Sequence, residues 1–184
     1  HFQAKNKLSK KEKIENSNYL IIWNSWIFLS GNFDEPFSST VLEIQKRWIK
    51  SGVIVAEISS FMAYNIKKFK SDYSIFTNFE LDHLNWHKDM QDYLDAKLNI
   101  FKNTKKKAII NLQVLQKIKE LKINNWKLKI KNIRLFWVSD DKKLKDKIEL
   151  PNIIISWKKK YDINETKFSW SHNALNILAS TIVT

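Results

Sequence analysis

The chain has 184 residues and a mass of 22.0 kDa, enough for one domain whose core needs no metal or disulfide staple. Hydrophobic residues at 43% exclude a disordered chain, the absence of cysteine excludes disulfides, thiolate zinc sites and cysteine nucleophiles, and no apolar run reaches the roughly 18 residues of a membrane helix. The net charge of +13 is weaker support for nucleic-acid binding than it looks, because only Arg47 and Arg134 among the 32 basic residues are arginine and no DNA- or RNA-binding signature accompanies them.

In chain order, Leu20 to Leu29 reads as a strand with one interruption at Asn24 and Ser25. A helix follows, capped by Ser38 or Ser39, with Val41, Leu42, Ile44 and Ile49 at helical spacing and Gly52 as its stop. Val53 to Ala56 is a short apolar run of the kind expected for a parallel strand buried on both faces. Ser59 starts a short helix. Tyr73 to Thr77 is a strand, Asp89 to Phe101 an amphipathic helix, Ala108 to Ile110 a strand and Val114 to Leu121 a helix. Ile133 to Val138 and Ile153 to Ser156 are further strands, Tyr161 to Ser169 a short antiparallel ribbon, and Ser171 to Val183 a helix capped by Ser171 or Asn173. Alternation of strand and helix predicts an α/β fold: three layers, a mostly parallel sheet flanked by helices, and a small antiparallel ribbon near the C-terminus. No internal repeat or linker divides the chain.

Two glycines against eight tryptophans is an unusual balance, since a chain of this length ordinarily carries roughly 13 glycines. Most of the tryptophans fall in turn or helix-boundary contexts, where glycine supplies positive φ and close backbone approach and an indole supplies neither. The expectation is that these are UGA codons translated as Trp in a lineage that reads UGA as Gly.

Four segments in order carry chemistry. Ser30-Gly31-Asn32-Phe33-Asp34-Glu35-Pro36 is a turn after a strand, and Glu57-Ile58-Ser59-Ser60-Phe61 puts a carboxylate at a strand's carboxyl end, where ligands of α/β sheets gather. Thr77-Asn78 and Asp82-His83-Leu84-Asn85 precede Tyr93, Ala96-Lys97 and Ile100-Phe101. The last is Phe168-Ser169-Trp170-Ser171-His172-Asn173-Ala174-Leu175-Asn176. With glycine at positions 86 and 170 the set resembles the central, ATP-binding domain of the Mur ligases over roughly Leu29 to Ala179. The GN-x-x-x-P turn and the E-x-S-S-F segment are most similar to the members that add D-glutamate to UDP-N-acetylmuramoyl-L-alanine.

The resemblance implies ATP-driven amide formation. A substrate carboxylate takes the γ-phosphoryl group, and the acyl phosphate is attacked by an amino acid's amine; Mg²⁺ neutralises the transferring group. It implies that Glu57, His83 and Lys97 hold the metal, Lys97 as a carbamate, with Lys97, His83 and Asn32 at the reacting centre. Thr77, Asn78 and Asp82 would frame that pocket. Ser59 and Ser60 would either favour anions or simply cap a helix. His172, Asn173 and Asn176 match the family's adenine-side motif. The partners implied are a UDP-N-acetylmuramoyl-peptide and an amino acid, in the cytoplasm, with the full-length protein a monomer, no membrane span and no nucleic acid.

The family's Gly-rich phosphate loop, N-terminal uridine-nucleotide domain and C-terminal domain have no counterpart in residues 1–184. The chain, which opens at His1 without a starter methionine, is therefore expected to be a partial central domain that does not turn over ATP alone. The competing readings are a basic nucleic-acid-binding module and another Mur-type or folylpolyglutamate-type ligase.

Overall fold

The computed structural model describes residues 19–22, 25–32, 35–123, 132–138, 146–149, 152–155, 158–162, 176, 178–180 and 182–183. The chain divides into two compact units, Phe2–Met62 and Ala63–Thr184.

In the first unit the apolar run of residues 20–29 splits at its polar interruption into two strands. β1 (Tyr19–Ile22) and β2 (Ser25–Gly31) pair antiparallel, with Ile22 opposite Ser25. α1 (Phe37–Lys46) has its N-cap two or three residues before the expected serine cap. Pro36 is its N-cap residue at φ −58°, with no side-chain cap; its carbonyl accepts Ser39 N–H at 3.0 Å, so Ser38 and Ser39 lie inside the first turn. The helix also ends before Gly52. Ile49 N–H donates to Ile44 O and Trp48 N–H to Gln45 O, both at 3.1 Å, a Schellman closure with Trp48 in the left-handed region at φ 53°.

Gly52 instead opens β3 (Gly52–Glu57), which runs parallel to β2 from Trp26–Gly52 to Gly31–Glu57. A Cβ at Gly52 would meet the Trp26 carbonyl oxygen at 2.8 Å, so close strand approach, not a helix stop, explains this glycine. The expected burial of β3 on both faces is not observed. β3 is the edge of a three-stranded sheet ordered β1-β2-β3, and Val53, Ile54 and Val55 are exposed. Apolar composition fixed the parallel pairing but not the position within the sheet. α2 (Ser60–Tyr64) follows.

The second unit holds a six-stranded sheet in sequence order: β4 (Tyr73–Phe76), β5 (Lys107–Asn111), β6 (Ile133–Val138), β7 (Asp146–Glu149), β8 (Asn152–Ile155) and β9 (Lys158–Asp162). β4 through β7 are parallel, while β7-β8-β9 are antiparallel. The antiparallel pairing thus starts before the ribbon expected over 161–169, most of which lies outside the described residues. Between β4 and β5 come α3 (Met90–Leu98) and a 3₁₀ turn, Asn99–Asn103; α4 (Leu112–Glu120) follows β5.

Alternation along β5 divides two cores, as the period of two requires. Ala108 and Ile110 join Phe76, Phe79, Tyr93, Leu94, Leu98, Phe101, Val114 and Ile118, which is the face carrying α3 and α4. Ile109 joins Phe136, Ile148 and the C-terminal helical residues Leu178, Ala179 and Ile182 on the other. Helices therefore flank both faces of this mostly parallel sheet. Arg134 on β6 forks onto Asp146 of β7, whose side chain is fully buried, so the two parallel strands are also tied by a two-pronged ion pair. Among the described residues no helix is long and apolar enough to cross a membrane.

Candidate active site

In the first unit, the carboxyl ends of β2 and β3 lie side by side and carry Asn32 and Glu57. Gly31 makes their approach possible. It sits at φ +106°, and a Cβ there would fall 2.1 Å from the Glu57 carbonyl oxygen, a distance no side chain tolerates. Beyond it, Asn32 N–H donates to Glu57 O at 2.7 Å, and Asn32 Nδ2 donates to Glu57 Oε1 at 3.1 Å. One glycine and two hydrogen bonds thus orient an exposed carboxylate at a strand tip. Ser59 Oγ accepts the Met62 N–H at 3.2 Å, which gives it the helix-capping role.

In the second unit, Thr77 and Asn78 follow β4, with Thr77 Oγ1 donating to Asn78 Oδ1 at 3.3 Å. Asn111 reaches over from the end of β5. Its Nδ2 donates to Thr77 O at 2.7 Å while its Oδ1 accepts Gln113 N–H at 3.0 Å, so one buried amide fixes the exit of β4 and caps α4.

His83 lies in the turn that follows, at φ 57°. Asp82 Oδ1 accepts the His83 N–H at 2.7 Å, and Asp82 Oδ2 stands 3.5 Å from its Nε2. The imidazole meets the Tyr93 ring edge-on, with centroids 5.6 Å apart at 80°. One helical turn on, Lys97 Nζ lies 5.0 Å from the same ring's centroid and 5.8 Å from that of Phe76. Tyr93 is therefore the shared wall between His83 and Lys97. Burial, reinforced by the Asp82 carboxylate, raises its phenol above the ordinary value of 10.0, so it stays protonated.

The sequence places Tyr93 in the motif segment that leads to Lys97 but assigns it no role. Its separation of four residues from Lys97 was the available signal, since such pairs meet on a helix surface. His87, which closes the same motif segment two residues after Asn85, has no role assigned from sequence; its side chain is fully buried, with Nδ1 3.1 Å from Asp92 Oδ2.

The expected metal set of Glu57, His83 and Lys97 draws on both units. Among the described residues no three His, Cys, Asp or Glu side chains form a cluster able to hold a metal ion. Asn176 is helical and exposed, whereas His172 and Asn173 lie outside the described residues.

Residues 34–184 match the model of the Mur ligase middle domain. The chain belongs to that family. Among its relatives, proteins named "UDP-N-acetylmuramoylalanine--D-glutamate ligase" recur. The one from Aquifex aeolicus (strain VF5) is 36% identical over 123 residues, 60% of this chain and 28% of the relative. The one from Natranaerobius thermophilus is 31% identical over 166 residues, 86% of this chain and 34% of the relative, and the one from Clostridium tetani is 30% identical over 156 residues, 84% and 32%. The chain thus spans about a third or less of the length of the curated relatives it matches. The motif segments from Asp34 onward, including those of Glu57, His83, Lys97 and Asn176, fall inside the family match, while Asn32 lies two residues before it.

Proposed function

We propose that the chain is the central part of an ATP-dependent ligase of peptidoglycan precursor synthesis, joining D-glutamate to UDP-N-acetylmuramoyl-L-alanine in the cytoplasm. The observation that carries this reading is the alignment of 86% of the chain with a protein named for that ligation. The orientation of Glu57 by Asn32 and of His83 and Lys97 by Tyr93 supports it, because the side chains that the family resemblance selects are also the ones the local structure holds in place.

The donor chemistry suits magnesium. Glu57 offers a carboxylate oxygen, the donor a hard cation prefers, and His83 an imidazole; Lys97 becomes a ligand only as a carbamate, because an ammonium has no lone pair to give. When bound, Mg²⁺ supplies charge neutralisation at the transferring phosphoryl group. The chain's own part is to position: Asn32 holds Glu57 through one carboxylate oxygen and leaves the other for the cation. Asn78 and the Thr77 hydroxyl stand at the exit of β4 to meet polar groups of the nucleotide or the muramoyl substrate. His172, Asn173 and Asn176 are assigned to the adenine side.

The test uses the full-length gene product with ATP, Mg²⁺, UDP-N-acetylmuramoyl-L-alanine and single amino acids. ADP release that requires both the muramoyl nucleotide and D-glutamate is the expected result. Release with a different amino acid alone would reassign the specificity, and release that ignores the muramoyl nucleotide would overturn the reading.

A further inference from the structure

We propose that His87 is a positioning residue for His83, acting through its Nδ1 proton on Asp92 to lock the 82–88 turn onto the first turn of α3. The inference rests on the proposed function only in taking His83 for a cation ligand; the locking itself is a property of this unit.

A fully buried imidazole is costly unless its nitrogens find partners. Nδ1 of His87 faces the Asp92 carboxylate at 3.1 Å, so the network assigns the proton to Nδ1 and makes it the donor. The same carboxylate oxygen accepts Lys88 N–H at 3.3 Å, and Asp92 returns its own N–H to Asp89 Oδ1 at 2.8 Å. Asp92 is therefore a knot between the turn and the helix start. At the other end of the turn, the His83 carbonyl accepts the N–H groups of Trp86 at 3.1 Å and His87 at 2.9 Å.

His83 needs this support. Its φ of 57° lies in the left-handed region, which disfavours a residue with a Cβ and persists where the surroundings over-determine it. The two ends also share a ring: His87 packs on Tyr93 with centroids 5.1 Å apart, and Tyr93 meets His83 in a T-shaped contact. Releasing Nδ1 from Asp92 frees the turn, and with it the direction in which the His83 imidazole points.

Two substitutions at one site separate hydrogen bonding from packing. His87→Phe keeps a ring and removes the donor; His87→Asn loses the ring and keeps a donor at the Nδ1 position. Asp92→Ala removes the acceptor while leaving the imidazole in place, and serves if His87→Phe fails to fold. In the full-length gene product, Mn²⁺ binding is followed by electron paramagnetic resonance, and the His83 ring signals by NMR on histidine-labelled protein without metal, assigned with His83→Ala.

His87→Phe and Asp92→Ala are expected to weaken Mn²⁺ binding by about 10- to 100-fold, the scale on which partners of metal-ligating histidines act, and to remove the ring-current shift that Tyr93 imposes on His83. His87→Asn is expected to restore both, leaving any loss below the roughly 10-fold that marks a missing partner. Wild-type behaviour in folded His87→Phe, or an equal loss in His87→Asn, would overturn the positioning role. If Mn²⁺ binding is absent or indifferent to His83→Ala, the assignment of His83 as a ligand fails, and the His83 ring signals alone then decide the role of His87.

Discussion

Replacing Trp48 by glycine deletes an aromatic residue and should nevertheless stabilise the chain. Trp48 closes α1 at φ 53°, where a Cβ is disfavoured by roughly 1–2 kcal/mol. Its indole is 86% exposed, so little burial is lost on truncation. Glycine adopts this φ without strain but gives back roughly 0.5–1 kcal/mol through its freer unfolded chain. The net gain is about 0.75 kcal/mol, or roughly 1.5–3 °C in the unfolding midpoint for a chain of this size. Paired urea and thermal unfolding measure it, with two companions. Trp48→Ala removes the indole and keeps the strain, so it should gain nothing; Lys122→Gly relieves the same geometry at the end of α4, where Lys122 sits at φ 52°, and should gain about as much. Equal stabilisation by Trp48→Ala, or none by Trp48→Gly, would refute the argument from φ. The idea that tryptophan stands for glycine has this geometric support at Trp48. It has none at Trp26, a β2 residue stacked on Phe28 with centroids 6.0 Å apart and approached by Arg47.

Three further outcomes follow from the site and its frame. Asn111→Ala removes a helix cap and a buried hydrogen bond together and should cost about 2 kcal/mol in chemical unfolding. Because the folded-state pKa of Tyr93 is raised, the folded chain holds that proton more tightly than the unfolded one. Its contribution is complete below pH of about 10 and is lost as pH rises through the folded value; Tyr93→Phe should flatten the decline of stability in that range, measured by unfolding between pH 9 and 11. Glu57→Ala in the full-length gene product should lower ADP formation by about 100-fold or more, the scale for losing one group that stabilises transferring charge, while leaving the unfolding midpoint nearly unchanged because the side chain is exposed.

How far the sequence reached depends on whether the deciding interactions are local. Strand and helix order, the parallel pairing of the apolar runs at 53–56 and 108–110, and the motif residues Glu57, His83 and Lys97 are legible because period, turn chemistry and residue type are properties of neighbouring positions. The same locality misassigned the ends of α1. A serine near a helix start looks like a cap, but Pro36 with its fixed φ had already set the first turn, and Gly52 looks like a stop although its reason is the Trp26 carbonyl across the strand.

Sequence alone determined the family's motif set and its order. Only the tertiary structure decided that Gly31 must pass against Glu57, that β3 takes an edge of its sheet, that Tyr93 stands between His83 and Lys97, and that His87 is buried against Asp92. Each of these is a meeting of atoms from different turns or strands. Spacing along a chain fixes which face a residue takes, but the neighbour it finds there depends on which element packs against that face.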